Sequence, residues 1–119
     1  MKIEALNLRT AADVHAQNAM PLASRYTERS TYDLLQASTA VHADRPALTF
    51  LLRGTLDEEP IVYSYRELFA RVTQAANAFS RLGIGPGDVV AYLLPNLPQT
   101  HFTIWGGETT GRVAAINPL

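Results

Sequence analysis

Val89-Val90-Ala91-Tyr92-Leu93-Leu94 is apolar at nearly every position and does not alternate with polar residues. A strand with one wet face alternates. A strand covered on both faces does not, so this run predicts a parallel sheet with helices on each side. Gly85-Pro86-Gly87-Asp88 turns the chain into it, and Pro95-Asn96 ends it. Pro98 fits the first turn of a following helix, where its missing N–H has no partner to lose. That helix carries His101, Phe102, Trp105 and Glu108, and Gly111 closes it. Val113 to Ile116 reads as a second apolar strand. Strand, helix, strand predicts a right-handed βαβ crossover.

Upstream, Ser64 and Glu67 have capping-box spacing, each satisfying an orphan N–H of the other's turn. Leu68, Phe69, Val72, Ala75, Ala76, Phe79 and Leu82 then recur on one helical face. Glu67 and Arg71 make an i,i+4 pair on the opposite side, and Gly83 stands where a left-handed residue ends the helix. Ala47 to Leu52 and Ile61 to Tyr63 read as antiparallel strands joined by the polar loop Arg53 to Pro60. Ser30 and Asp33 open an earlier helix bearing Leu34, Leu35, Ser38 and Val41, broken at Asp44-Arg45-Pro46. The fold class is α/β, a β-hairpin plus a βαβ unit with flanking helices. Residues 1–29 are expected to form an amino-terminal arm lying over the rest, with one short helix capped by Thr10 and Asp13 and ended by Pro21. Residues 30–119 form a partial α/β subdomain, expected to be cut after its last strand because that edge strand lacks its own covering helix. A small complete α/β domain is the alternative.

Hydrophobic residues make up 47% of the 119 and charged residues 18%, low for a small domain with much surface to hydrate. The deficit predicts surface that something else covers, or is compositional scatter. A formal net charge of −1 without a basic stripe argues against nucleic acid. Zero cysteines exclude disulfides, thiolate metal sites and cysteine nucleophiles, and fit a reducing cytoplasm. The amino terminus shows no apolar secretory core, and no apolar run approaches the ~20 residues that span a bilayer. The reading is a soluble, cytoplasmic chain.

Residues that could carry chemistry have structural readings beside the functional ones. Gly83, Gly85 and Gly87 follow a helix and open a strand, the reverse of a phosphate-binding loop, so carbonyls and partial negative charge face the bend. Turn geometry explains them. His101 and Trp105, four apart, fit a helix face packed on a sheet, and no His or carboxylate grouping has metal-ligand spacing. Gly106-Gly107 within a helix fits close approach of a neighbouring backbone, a hinge being the alternative. Glu58 and Glu59 are explained by loop solvation, and no serine sits in a nucleophile elbow. Asn96 lies at the carboxyl end of a strand, where α/β ligands gather, yet it also suits a helix cap.

The series Thr31-Tyr32-Asp33-Leu34-Leu35, Arg45-Pro46-Ala47-Leu48, Tyr65-Arg66-Glu67-Leu68, Leu82-Gly83 with Gly87-Asp88-Val89-Val90, Leu94-Pro95-Asn96, and Gly111 with Asn117-Pro118 resembles the start of the adenylate-forming superfamily, specifically its acyl-CoA synthetases. No single match is diagnostic; the ordered series, with its spacings, is fairly specific. The resemblance covers about three quarters of the chain, with residues 1–29 similar to the variable leader of bacterial fatty-acyl members. Arg112 departs from it, standing where the family tends to place an apolar residue.

The resemblance implies a parent enzyme in which a fatty or aryl acid attacks the α-phosphate of MgATP, and CoA then displaces AMP from the acyl-adenylate. The phosphate loop, nucleotide contacts and mobile-domain lysine come later in that family. No catalytic, cofactor-binding or metal residue therefore carries over, and ATP, Mg and CoA are implied for the parent alone. The chain is expected to be an inactive scaffold fragment whose partner is the remainder of that enzyme, and to self-associate through its unpaired sheet edge. A free-standing interaction or regulatory domain, and an adenylating enzyme serving a carrier protein, are the alternatives.

Overall fold

The computed structural model describes residues 8–24 and 27–116. The first seven residues of the expected arm, Arg25, Tyr26 and the Asn117-Pro118 match lie outside them. In chain order the elements are α1 (Ala11–Ala19), a 3-10 turn (Leu22–Ser24), α2 (Thr31–His42), β1 (Pro46–Phe50), β2 (Ile61–Ser64), α3 (Tyr65–Arg81), β3 (Val89–Tyr92), α4 (Pro98–Thr110) and β4 (Arg112–Ala115).

The centre is α3, and its sequence determines both ends. Ser64 accepts the Glu67 N–H, while the Glu67 carboxylate takes the Ser64 N–H at 2.8 Å. At the other end Gly83 (φ +85°) donates to the Ser80 carbonyl and Ile84 to that of Phe79, a complete Schellman closure. Leu68, Val72 and Ala76 from this helix are buried, Val72 completely. Leu82, expected on the same face, is 77% exposed, because it lies past the last helical turn. The Glu67–Arg71 pair does not form directly. The capping box already holds the Glu67 carboxylate, and Arg71 donates to Gln74 instead.

Antiparallel β1 and β2 form the hairpin, with a register shift between Pro46 and Leu48. Parallel β3 and β4 pair Val89 with Arg112 through Tyr92 with Ala115, α4 being the crossover between them. Arg112, which departed from the family pattern, thus opens β4. Helix α4 packs on α3 through Gly106. A Cβ there would lie 2.6 Å from that of Ala75 and 2.9 Å from the Ala76 nitrogen. On the sheet side, a Cβ at Gly107 would lie 2.6 Å from Val113 Cγ2. The reading of close backbone approach holds at Gly106, where the Ala76 nitrogen and Val72 oxygen are the neighbours, whereas at Gly107 the neighbours are the Val113 and Val90 side chains.

Helix α2 is tied to α3 by the Tyr32–Thr73 hydroxyl bond (3.0 Å) and the Tyr32–Phe69 ring contact. Its Thr39 hydroxyl also reaches the Tyr65 carbonyl. Two expectations fail. Helix α1 has its capping box but buries none of its residues, so this part of the arm does not lie over the rest. The run at Val89 is not covered on both faces. Val90 and Val113 are partly buried beneath α4, whereas Val89, Leu93 and Ile116 are about half exposed.

Candidate functional site

The glycine bend between α3 and β3 is accounted for by backbone geometry. Gly85 donates to the Asp88 carboxylate at 2.8 Å, and the Asp88 N–H returns to the Gly85 carbonyl at 2.9 Å. Gly111 abuts the same bend: a Cβ there would come within 2.8 Å of the Gly85 oxygen and 2.9 Å of the Asp88 oxygen. The bend thus gathers the Gly85 and Asp88 carbonyls and the Asp88 carboxylate, surroundings that repel phosphate.

At the carboxyl end of β3, Thr100 is the buried polar residue. Its hydroxyl donates to the Pro95 carbonyl at 2.5 Å, fixing the loop from β3 into α4. Pro98 occupies the first helical turn, and Leu97 is the N-cap, with no side-chain cap bond. Asn96 is therefore not the cap; it lies one residue too early. Its side chain is exposed at the strand end where the sequence placed it.

His101 and Trp105 come together on α4, ring centroids 5.4 Å apart, and Phe102 meets Tyr63 of β2 edge-on at 5.3 Å. These contacts join α4 to itself and to the hairpin, as packing residues do. Among the described residues no group of three or more His, Cys, Asp or Glu could hold a metal ion. A shallow surface depression of about 440 Å³ is lined by Glu28, Arg29, Ser30, Thr31 and Leu34 at the start of α2. There the Ser30 hydroxyl takes the Asp33 N–H, and the Asp33 carboxylate takes that of Arg29.

Glu58 is more than a solvated loop residue. Its carboxylate accepts from the N–H groups of Leu52 (2.6 Å), Arg53 (2.8 Å) and Gly54 (2.9 Å). Desolvation, the largest single influence, pushes its pKa up; the backbone donors Arg53, Leu52, Gly54 and Thr55 together outweigh it and hold it below the ordinary glutamate value. The signal for this was an acid four residues beyond Gly54, whose φ of +70° turns successive N–H groups to one side. Glu67 is likewise lowered, first by the Ser64 N–H, then by the Ser64 hydroxyl, with Arg71 adding a charge through space.

No pair of these features forms a nucleophile and base, and the anion-binding N–H groups around Glu58 are filled by the chain's own carboxylate. The sequence profile described as AMP-binding enzyme matches residues 35–115. The chain belongs to this AMP-binding family. Among relatives, the marinolic acid–CoA ligase of Pseudoalteromonas sp. (strain SANK 73390) is 30% identical over 113 residues, 95% of this chain and 17% of that protein. The acetyl-coenzyme A synthetase of Dictyostelium discoideum is 32% identical over 88 residues, 72% of this chain and 12% of that one. The fatty acyl-adenylate ligase from L. pneumophila, solved with acyl adenylate and pyrophosphate, superposes with a TM-score of 0.64 at 21% identity. The match covers 77% of this chain and 16% of that one, and shows the fold. This AMP-binding family member thus spans less than a fifth of the length of each. Among the described residues no helix is long and apolar enough to cross a membrane.

Proposed function

We propose that the chain is the opening scaffold of an ATP-dependent acid–CoA ligase, with residues 30–119 as its partial α/β subdomain and residues 1–29 as a separate arm. The parent reaction joins a carboxylic acid to CoA through an acyl-adenylate, releasing pyrophosphate and then AMP. In this reading ATP, Mg, CoA and the acid are bound by residues other than these 119, the enzyme is cytoplasmic, and this segment contributes no catalytic group. The observation that carries the reading is the family match over residues 35–115, set beside a bend whose glycines serve a helix C-terminus and whose polar groups are spent internally.

The α3–α4 seam and Thr100 give the segment its role: they fix where the carboxyl end of β3 lies. Thioesterification assayed with MgATP, CoA and a panel of fatty and aryl acids tests the proposal. No turnover is expected from the 119 residues, and turnover from a polypeptide continuing through the Ser/Thr/Gly-rich phosphate loop and the nucleotide contacts to the mobile-domain lysine. Turnover by the 119 residues alone overturns the scaffold reading, and an inactive longer polypeptide overturns the ligase reading.

A further inference from the structure

The β1–β2 connection brings three successive N–H groups to one point. Leu52 donates to one oxygen of the Glu58 carboxylate at 2.6 Å, and Arg53 and Gly54 donate to the other at 2.8 and 2.9 Å. Gly54, at φ +70°, turns the backbone so that these donors converge. The Glu58 N–H meets the Thr55 carbonyl at 3.2 Å, a tight turn that carries the carboxylate back onto them. The hairpin ladder does not need this closure. Its pairing ends at Phe50 with Ile61, and exposed loop amides are otherwise satisfied by water. Desolvation raises the Glu58 pKa and the backbone donors lower it by more, so they select the charged carboxylate over the neutral acid.

We propose that the backbone of residues 52–54 is a carboxylate-binding site closed in cis by Glu58, an autoinhibited site whose ligand is part of the same loop. Once the Glu58 side chain is gone, a carboxylate from another molecule takes its place through the same two oxygens. In the intact chain the short turn holds Glu58 at a far higher effective concentration than a free carboxylate reaches, so the site stays closed. Arg53 brings one positive charge to the loop, whereas Asp57 and Glu59 bring two negative ones. The vacated site is therefore weak, with a dissociation constant on the order of 10 mM. The inference uses this loop alone and is independent of the ligase reading. Its failure leaves that reading standing, and turnover by the chain leaves this one standing.

Hydrogen exchange at Leu52, Arg53 and Gly54 in the 119-residue chain, at pH 7 and constant ionic strength, is the test. Glu58→Ala is expected to expose these amides. Sodium acetate at about ten times the dissociation constant is then expected to slow their exchange roughly tenfold, and sodium chloride to leave it unchanged. The wild-type amides are expected not to respond to acetate. Protection along α3 reports that the variant is folded. Glu58→Gln keeps the shape of the side chain without its charge and supplies a second reading that does not depend on how the alanine variant folds; acetate is expected to displace the amide and restore protection. Exchange that acetate leaves unchanged in both variants overturns the proposal. Equal slowing by chloride, or an equal response in the wild-type chain, overturns it as well.

Discussion

Helices α3 and α4 lie against each other and are held by different means. Helix α3 carries its own instructions: a reciprocal box at Ser64 and Glu67, an apolar stripe, and a left-handed glycine at the end. Helix α4 has no side-chain cap, no acidic residue in its first turn, no basic residue in its last, and two glycines in its interior. Interior glycine costs about 1 kcal/mol each against alanine, so α4 is a poor helix by itself. Its stability comes from fitting between α3 and the β3–β4 sheet, where Gly106 and Gly107 let both neighbours approach. One helix is fixed locally and organises the core; the other is fixed by what surrounds it.

Substitutions can separate the two modes. Leu68→Ala removes a side chain only 3% exposed from the α3 stripe and is expected to cost about 3 kcal/mol in urea unfolding. Gly106→Ala discriminates better. An autonomous helix would gain about 1 kcal/mol from alanine, but the added methyl meets backbone at 2.9 Å. A net loss of about 2 kcal/mol is expected, and a gain would break the comparison. Ser64→Ala deletes half of the α3 box and is expected to cost about 1 kcal/mol. The same change at Gln99 in the first turn of α4 is expected to shift the midpoint by less than its error.

The smallest effect is on pH. Glu58 and Glu67 have folded pKa values below their ordinary 4.5. Each therefore contributes stability that is complete above the unfolded value and is lost as pH falls through the folded one. Hydrogen exchange at Leu52, Arg53 and Gly54 should accelerate below about pH 4 relative to the intrinsic rate, and Glu58→Gln should accelerate it at pH 7. Protection unchanged in the variant would show that the loop does not depend on the carboxylate.

The same contrast explains what could be read from the sequence. The caps at Ser30 and Ser64, the hairpin, the Gly83 stop and the parallel pairing were all legible, because each rests on local spacing or on an uninterrupted apolar run. Asn96 and Leu97 were not. Which residue caps α4 depends on Thr100 holding the Pro95 carbonyl, a tertiary arrangement with no periodic signal. Glu58 looked like solvated charge because its partners are backbone groups, which sequence does not display. The run at Val89 predicted cover on both faces, and α4 provides it on one. The glycine bend was legible as turn geometry, with Gly83 closing α3 and the Gly85 N–H held by the Asp88 carboxylate.

Calorimetric titration of MgATP into the 119-residue chain tests the scaffold account most directly. Heats no larger than those of dilution are expected, with the unfolding temperature unchanged at saturating nucleotide. A saturable one-to-one isotherm would contradict it, because the nucleotide site would then lie within these residues.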